Sequence, residues 1–144
     1  MNIITIIILL LISFILQYIF TFMQIKNFNI FYSKLRKNGK VAIGKKKGGF
    51  RAGAIVMFSL NSNNEILDGA YMQGVTVLAR FKKIDIFNGT KIICITKEMC
   101  LNKKLSLSLT EAILDSVETF KKVNCGEEIP LPKSLFGKII EKIK

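Results

Sequence analysis

A chain of 144 residues that contains no histidine and three cysteines cannot assemble a Ser-His or Cys-His nucleophile pair or an imidazole metal site. Its net charge of +12 points toward nucleic acid or anionic lipid as a partner. Much of that basic excess lies in one short segment, Lys26 to Lys47, which holds eight basic residues and no acidic one, so charge alone is weak evidence for DNA binding.

Ile3 to Ile25 reads IITIIILLLISFILQYIFTFMQI and holds no charged side chain. Roughly 20 apolar residues at 1.5 Å per residue cross a hydrocarbon core of about 30 Å, so this stretch is expected to be a transmembrane helix over residues 1–25. Thr5, Ser13, Gln17 and Thr21 are outweighed by Ile, Leu and Phe, and the hydroxyls can hydrogen-bond back into their own helix. A cleaved signal peptide would need a basic n-region, a shorter apolar core and a small-residue cleavage site. Only Met1 and Asn2 precede the run, and Lys26, Asn27 and bulky aromatics follow it. An uncleaved anchor is therefore expected.

Lys26, Lys34, Arg36, Lys37, Lys40, Lys45, Lys46 and Lys47 follow the run, and no basic residue precedes it. Basic residues beside a spanning helix are retained on the cytoplasmic side. The expected placement is a single-pass protein of the cytoplasmic (inner) membrane, N-terminus outside and the bulk of the chain inside. In that compartment thiols stay reduced, and Cys94, Cys100 and Cys125, without C-x-x-C spacing, read as ordinary semi-buried residues.

Phe28, Phe31, Tyr32 and Leu35 fall at i, i+3, i+4 and i+7, which continues a helix through a juxtamembrane segment, residues 26–39. Asn38-Gly39 is the expected stop, with a left-handed C-terminal cap. The stripe suits pairing with a second copy, lying in headgroups, or packing on its own domain.

From Lys40 the period changes, and residues 40–144 are expected to form one α+β domain, an antiparallel β-rich unit with C-terminal helices. Val41 and Ile43 alternate with Ala42 and Gly44 before the turn-rich Lys45 to Gly49. Arg51 to Leu60 and Glu65 to Met72 flank the polar turn Asn61-Ser62-Asn63-Asn64 and read as a β-hairpin. Val75 to Ala79 favours a further strand, with a short helix as the alternative. Phe81 to Ile86 and Lys91 to Thr96 around Asn88-Gly89 suggest a second hairpin. Ser108-Leu109-Thr110-Glu111 has capping-box spacing and opens a helix ending by Asn124 to Gly126. After Pro130 and Pro132, a short basic amphipathic helix is expected from Ser134, to pack on the domain or return to the membrane surface.

Gly44 to Gly49, GKKKGG, lacks G-x-x-x-x-G-K-[ST] spacing and reads as a basic turn rather than a phosphate loop. The scattered carboxylates form no acid-base pair. No enzymatic activity, cofactor or metal is expected.

The run before Gln24-Ile25-Lys26-Asn27-Phe28-Asn29, then Gly39-Lys40-Val41-Ala42-Ile43-Gly44, Gly49-Phe50-Arg51 and Gly74-Val75-Thr76-Val77-Leu78-Ala79-Arg80, resembles the glucitol (sorbitol) operon activator family. The resemblance extends from the anchor to about Ile86. It implies a positive regulator of a phosphotransferase-system operon for a sugar alcohol. Joined to the anchor, it implies docking of a separate DNA-binding transcription regulator at the membrane. The alternatives are direct DNA binding and a subunit that assembles or stabilises the transporter. Lys40, Arg51 and Arg80 are the candidate partner-binding residues, and Gly39, Gly44, Gly49 and Gly74 are candidates for shaping the backbone.

Overall fold

A computed structural model of the protein describes residues 2–49, 52–76 and 78–126. Arg51 and the expected helix after Pro132 lie outside the described residues.

Helix α1, Ile3–Asn38, is unbroken over 36 residues, about 54 Å. None of its apolar window is buried inside the protein, and nearly all the apolar side chains there are exposed. It is long and apolar enough to cross a membrane. Thr21 Oγ1 donates to the Gln17 carbonyl at 2.8 Å, which satisfies the hydroxyl inside the helix. The helix stops at Gly39, whose φ of 156° and ψ of −156° fall in an extended region open only to glycine, not in the expected left-handed helical cap. A Cβ there would collide with the Leu60 carbonyl oxygen.

Among the described residues, four antiparallel strands follow as a meander: β1 (Lys40–Lys46), β2 (Gly53–Leu60), β3 (Ile66–Gly74) and the two-residue β4 (Lys82–Lys83), adjacent in chain order. β1 pairs with β2 from Lys40 opposite Leu60 to Lys46 opposite Ala54. The β2–β3 hairpin forms as expected because Asn61 builds its turn. Its Oδ1 accepts from the backbone N–H groups of Asn63 and Glu65, its Nδ2 donates to Glu65, and Asn64 takes a positive φ.

Both sheet faces are covered. On one lies α3, Leu107–Asn124, which contributes Leu109, Ala112, Ile113, Val117 and Phe120 to a core with Val56, Phe58, Phe87 and Ile92. Gly44 permits this close approach, since a Cβ would meet the Ala112 carbonyl and the Ser116 nitrogen. On the opposite face lies the second half of α1, where Phe28, Phe31, Tyr32 and Leu35 pack against Met57, Ala70 and Phe81. The aromatic stripe is thus spent on the protein's own sheet. Ser59 Oγ, fully buried, donates to the Leu35 carbonyl at 2.9 Å, one of the last four of the helix and without a partner inside it.

Three expected elements differ. β3 ends at Gly74 and the described residues of Val75 to Ala79 form no strand: Ala79 N–H donates to the Thr76 carbonyl, and β2, which begins at Gly53, leaves nothing for β3 to pair with beyond Gly74. The second hairpin does not form. Asn88-Gly89 does turn the chain, but its flanks join β3 instead: Ile66 N–H donates to Thr90, Gly89 N–H to Ile66, and Glu65 bridges to Lys91. Ile92–Cys94 is a single 3₁₀ turn, and Lys97–Asn102 is a short helix, α2, capped by Thr96. Finally, the N-cap of α3 is Ser106, whose Oγ accepts from Leu109 N–H, so Ser108 already lies within the helix.

Candidate functional site

The meander gives the sheet two ends. At one end are the α1–β1 and β2–β3 connections, at the other the β1–β2 and β3–β4 connections. Because β1 reverses α1, the second end returns to the level of Gln24 to Asn27, where the apolar run stops. Asn27 Oδ1 accepts the backbone N–H of Phe81 at 2.8 Å and ties the β3–β4 connection to the helix there.

Two open clefts meet at Gly74 on this end. One, about 290 Å³, lies between Gln24, Lys46, Ile55, Met72 and the residues Val75, Thr76 and Ala79 that follow β3. The other, about 260 Å³, is lined by Ala52, Tyr71, Gln73, Arg80 and Lys82. Arg80 and Lys82 alternate with the buried Phe81, which places both cations on the α3 side of the sheet. Gln73 is held by Ser106 Oγ, which donates to its Oε1 at 2.9 Å. Arg80 Nη1 is buried and has no hydrogen-bond partner among the described residues. A guanidinium nitrogen in that condition is an unmet hydrogen-bond donor. The second cleft holds two cations and no carboxylate among the described residues, so it favours a negatively charged group, whereas the only cation of the first, Lys46, is paired with Glu111.

Lys46 and Lys83 are engaged by carboxylates, and Lys45 by its backbone. Lys46 Nζ pairs with Glu111 on α3. Lys45 N–H donates to Asp115 at 2.8 Å, docking β1 onto that helix. Lys83 sits between Asp85 and Asp68, and its hydrogen bond to Asp85, followed by the charge of Asp68, holds its pKa above the ordinary lysine value.

The three expected partner-binding residues do not form one site. Lys40 stands at the opposite end, beside Asn38, Gly39, Leu60 and Asn61, six residues or about 20 Å along the strand from Lys46. Arg80 lies in the cleft just described, and Ala52, which follows Arg51, lines that cleft too. Among the glycines, Gly39 and Gly44 are required by contact. Gly74 would place a Cβ 2.8 Å from that of Ala79, whereas a side chain at Gly49 would meet nothing. Lys82 and Gln24 complete this end and were not singled out from the sequence. The spacing of Arg80 and Lys82, two apart around an apolar residue, is the signal that marks them.

A helix of DNA-reading type is missing from the described residues. α2 and α3 are separated by four residues, an arrangement unexpected from the sequence, but α3 lies along the sheet with its apolar face buried. The side it leaves outward carries Glu111 and Glu118, the latter hydrogen-bonded to Lys122. Glu111 is paired with Lys46 and Glu118 with Lys122, so that surface is charge-balanced rather than basic.

No solved structure matches this chain. It is 35% identical to the glucitol operon activator protein of Escherichia coli (strain K12) over 66 residues, which is 46% of this chain and 56% of that protein. The match thus spans little more than half the length of that relative. Residues 5–110 match the family described as Glucitol operon activator protein (GutM), from within the apolar run to the first turn of α3. The protein belongs to the glucitol operon activator family.

Proposed function

We propose that this protein is a membrane-anchored positive regulator of a glucitol (sorbitol) phosphotransferase-system operon, acting by docking a separate DNA-binding regulator at the membrane and favouring its active state. Family membership supports the activator role. The observation that carries the membrane reading is that one helix does two jobs: its first part exposes a long apolar run, and its second part is built into the domain's core. In water the run would leave side chains such as Ile3, Phe14 and Tyr18 about 70% exposed, and a lipid core removes that cost. The eight basic residues after the run orient the domain to the cytoplasm.

The domain then hangs on its anchor without a flexible linker. Its far end, with Lys40 beside the α1–β1 turn, points into the cytoplasm and is where a protein partner docks. A partner's equilibrium shifts only by its differential affinity for the two states, so the contact there favours the active form. The burial of the apolar face of α3 on the sheet and the charge-balanced side it leaves outward support docking over direct reading of DNA.

The test is purification of the intact protein from membranes of induced cells. A DNA-binding regulator should emerge as its main partner, and the permease alone would favour a transporter subunit instead. Direct DNA binding has its own signature: neutralising about six phosphates gives a log-log salt slope near −5. The protein should show no sequence-specific DNA binding at physiological salt, and a specific footprint with that slope would replace the docking mechanism.

A further inference from the structure

The turn after β3 presents Val75 and Leu78 to the outside, 71% and 60% exposed, although the domain has a well-filled core on each face of its sheet. Position explains them. The turn lies against Gln24 in the last turn of the apolar run, and Asn27 holds Phe81 just beyond it. If α1 spans, Val75 and Leu78 stand at the depth where headgroups give way to acyl chains, where an apolar side chain is favoured. Arg80, with its unpartnered Nη1, and Lys82 follow on the cytoplasmic side of that turn. Apolar tips followed at once by cations match the profile of an anionic leaflet surface, read from acyl chain to phosphate.

We infer that the β3–β4 turn is a second membrane contact: Val75 and Leu78 enter the interface beside the anchor, and Arg80 and Lys82 bind the phosphates of anionic phospholipids. This rests on the spanning role proposed for α1. The double attachment fixes the rotation of the domain about its anchor, so that the end bearing Lys40 faces the cytoplasm.

The chain contains no tryptophan, so one introduced residue reports alone. Full-length protein carrying Val75→Trp, Tyr18→Trp or Ser62→Trp is reconstituted in vesicles of phosphatidylcholine, or phosphatidylcholine with an equal part of phosphatidylglycerol, with acyl chains brominated near the headgroup or near the middle. Tyr18→Trp should be quenched in both lipids, as a reporter of the span. Val75→Trp should be blue-shifted and quenched by shallow bromines, and Ser62→Trp, in the β2–β3 turn, should emit as in water. Each basic group beside an anionic leaflet is worth about a five-fold change in occupancy. Quenching of Val75→Trp should therefore be stronger with phosphatidylglycerol, and Arg80→Gln with Lys82→Gln should abolish that difference. Arg80→Lys with Lys82→Arg, which keeps both charges, should preserve it. Water-like emission from Val75→Trp and from Leu78→Trp, with Tyr18→Trp quenched, overturns the second contact while leaving the span intact. Equal quenching in the two lipids overturns the phosphate-binding role. An unquenched Tyr18→Trp overturns the spanning helix and, with it, this inference.

Discussion

If the second half of α1 belongs to the domain's core, removing it should cost most of the domain's stability. Leu35 is 2% exposed, and Phe28, Phe31 and Tyr32 are half-buried against Met57, Ala70 and Phe81. Full burial of such a side chain is worth about 1.5–3 kcal/mol, and half of that for the partly covered ones brings the stripe to about 5 kcal/mol, an upper value for a compact unfolded state. Small domains have only about 5–15 kcal/mol in total. A soluble fragment beginning at Lys26 should therefore unfold cooperatively in urea, whereas one beginning at Lys40 should be largely unfolded or aggregated. Within the longer fragment, Leu35→Ala should cost about 2–5 kcal/mol, since it opens a cavity between helix and sheet and spares the carbonyl that Ser59 needs. Urea titration followed by far-ultraviolet circular dichroism measures both. Equal midpoints for the two fragments, or a Leu35→Ala loss under about 1 kcal/mol, would refute the claim that helix and domain form one unit.

Gly44→Ala should destabilise by more than about 2 kcal/mol, because its Cβ meets backbone atoms of α3 that cannot move aside, while Gly49→Ala should be neutral; thermal melts of the two variants decide. Burial raises the Cys100 thiol pKa above its ordinary value, whereas Cys94 and Cys125 are exposed. In native protein near neutral pH a maleimide should label Cys94 and Cys125 within minutes and spare Cys100 until denaturant is added, and equal labelling of all three would contradict the packing beneath α2.

The sequence made the β2–β3 hairpin legible because its turn chemistry is local: Asn61 closes it with its own side chain. The long helix and its aromatic stripe were legible for the same reason. What could not be read were elements decided by distant partners. Val75 to Ala79 has the composition of a strand, but strand propensity is expressed only against a neighbour, and β2 supplies none beyond Gly53. Asn88-Gly89 turns the chain as its dipeptide predicts, yet Phe87 and Ile92 on its flanks are drawn into the core under α3, which prevents the flanks from pairing with each other. Within the candidate site, Arg80 was visible as a charge in a shared block. Its pairing with Lys82, its orphaned guanidinium and its distance from Lys40 emerge only once the meander sets which connections share an end.

Anchoring bears most directly on the account, because tethering raises the effective concentration of a weakly docked partner without adding any contact. The measurement is operon activation in cells, read from a reporter fused to the operon promoter, for three forms of the protein: intact, lacking Met1 to Ile25, and carrying an unrelated spanning helix of the same orientation joined in helical register at Lys26. The account predicts that the shortened form, still folded through its Lys26 to Asn38 helix, fails to activate, and that the foreign helix restores at least part of the response. Full activation by the shortened form would contradict a membrane-docking mechanism.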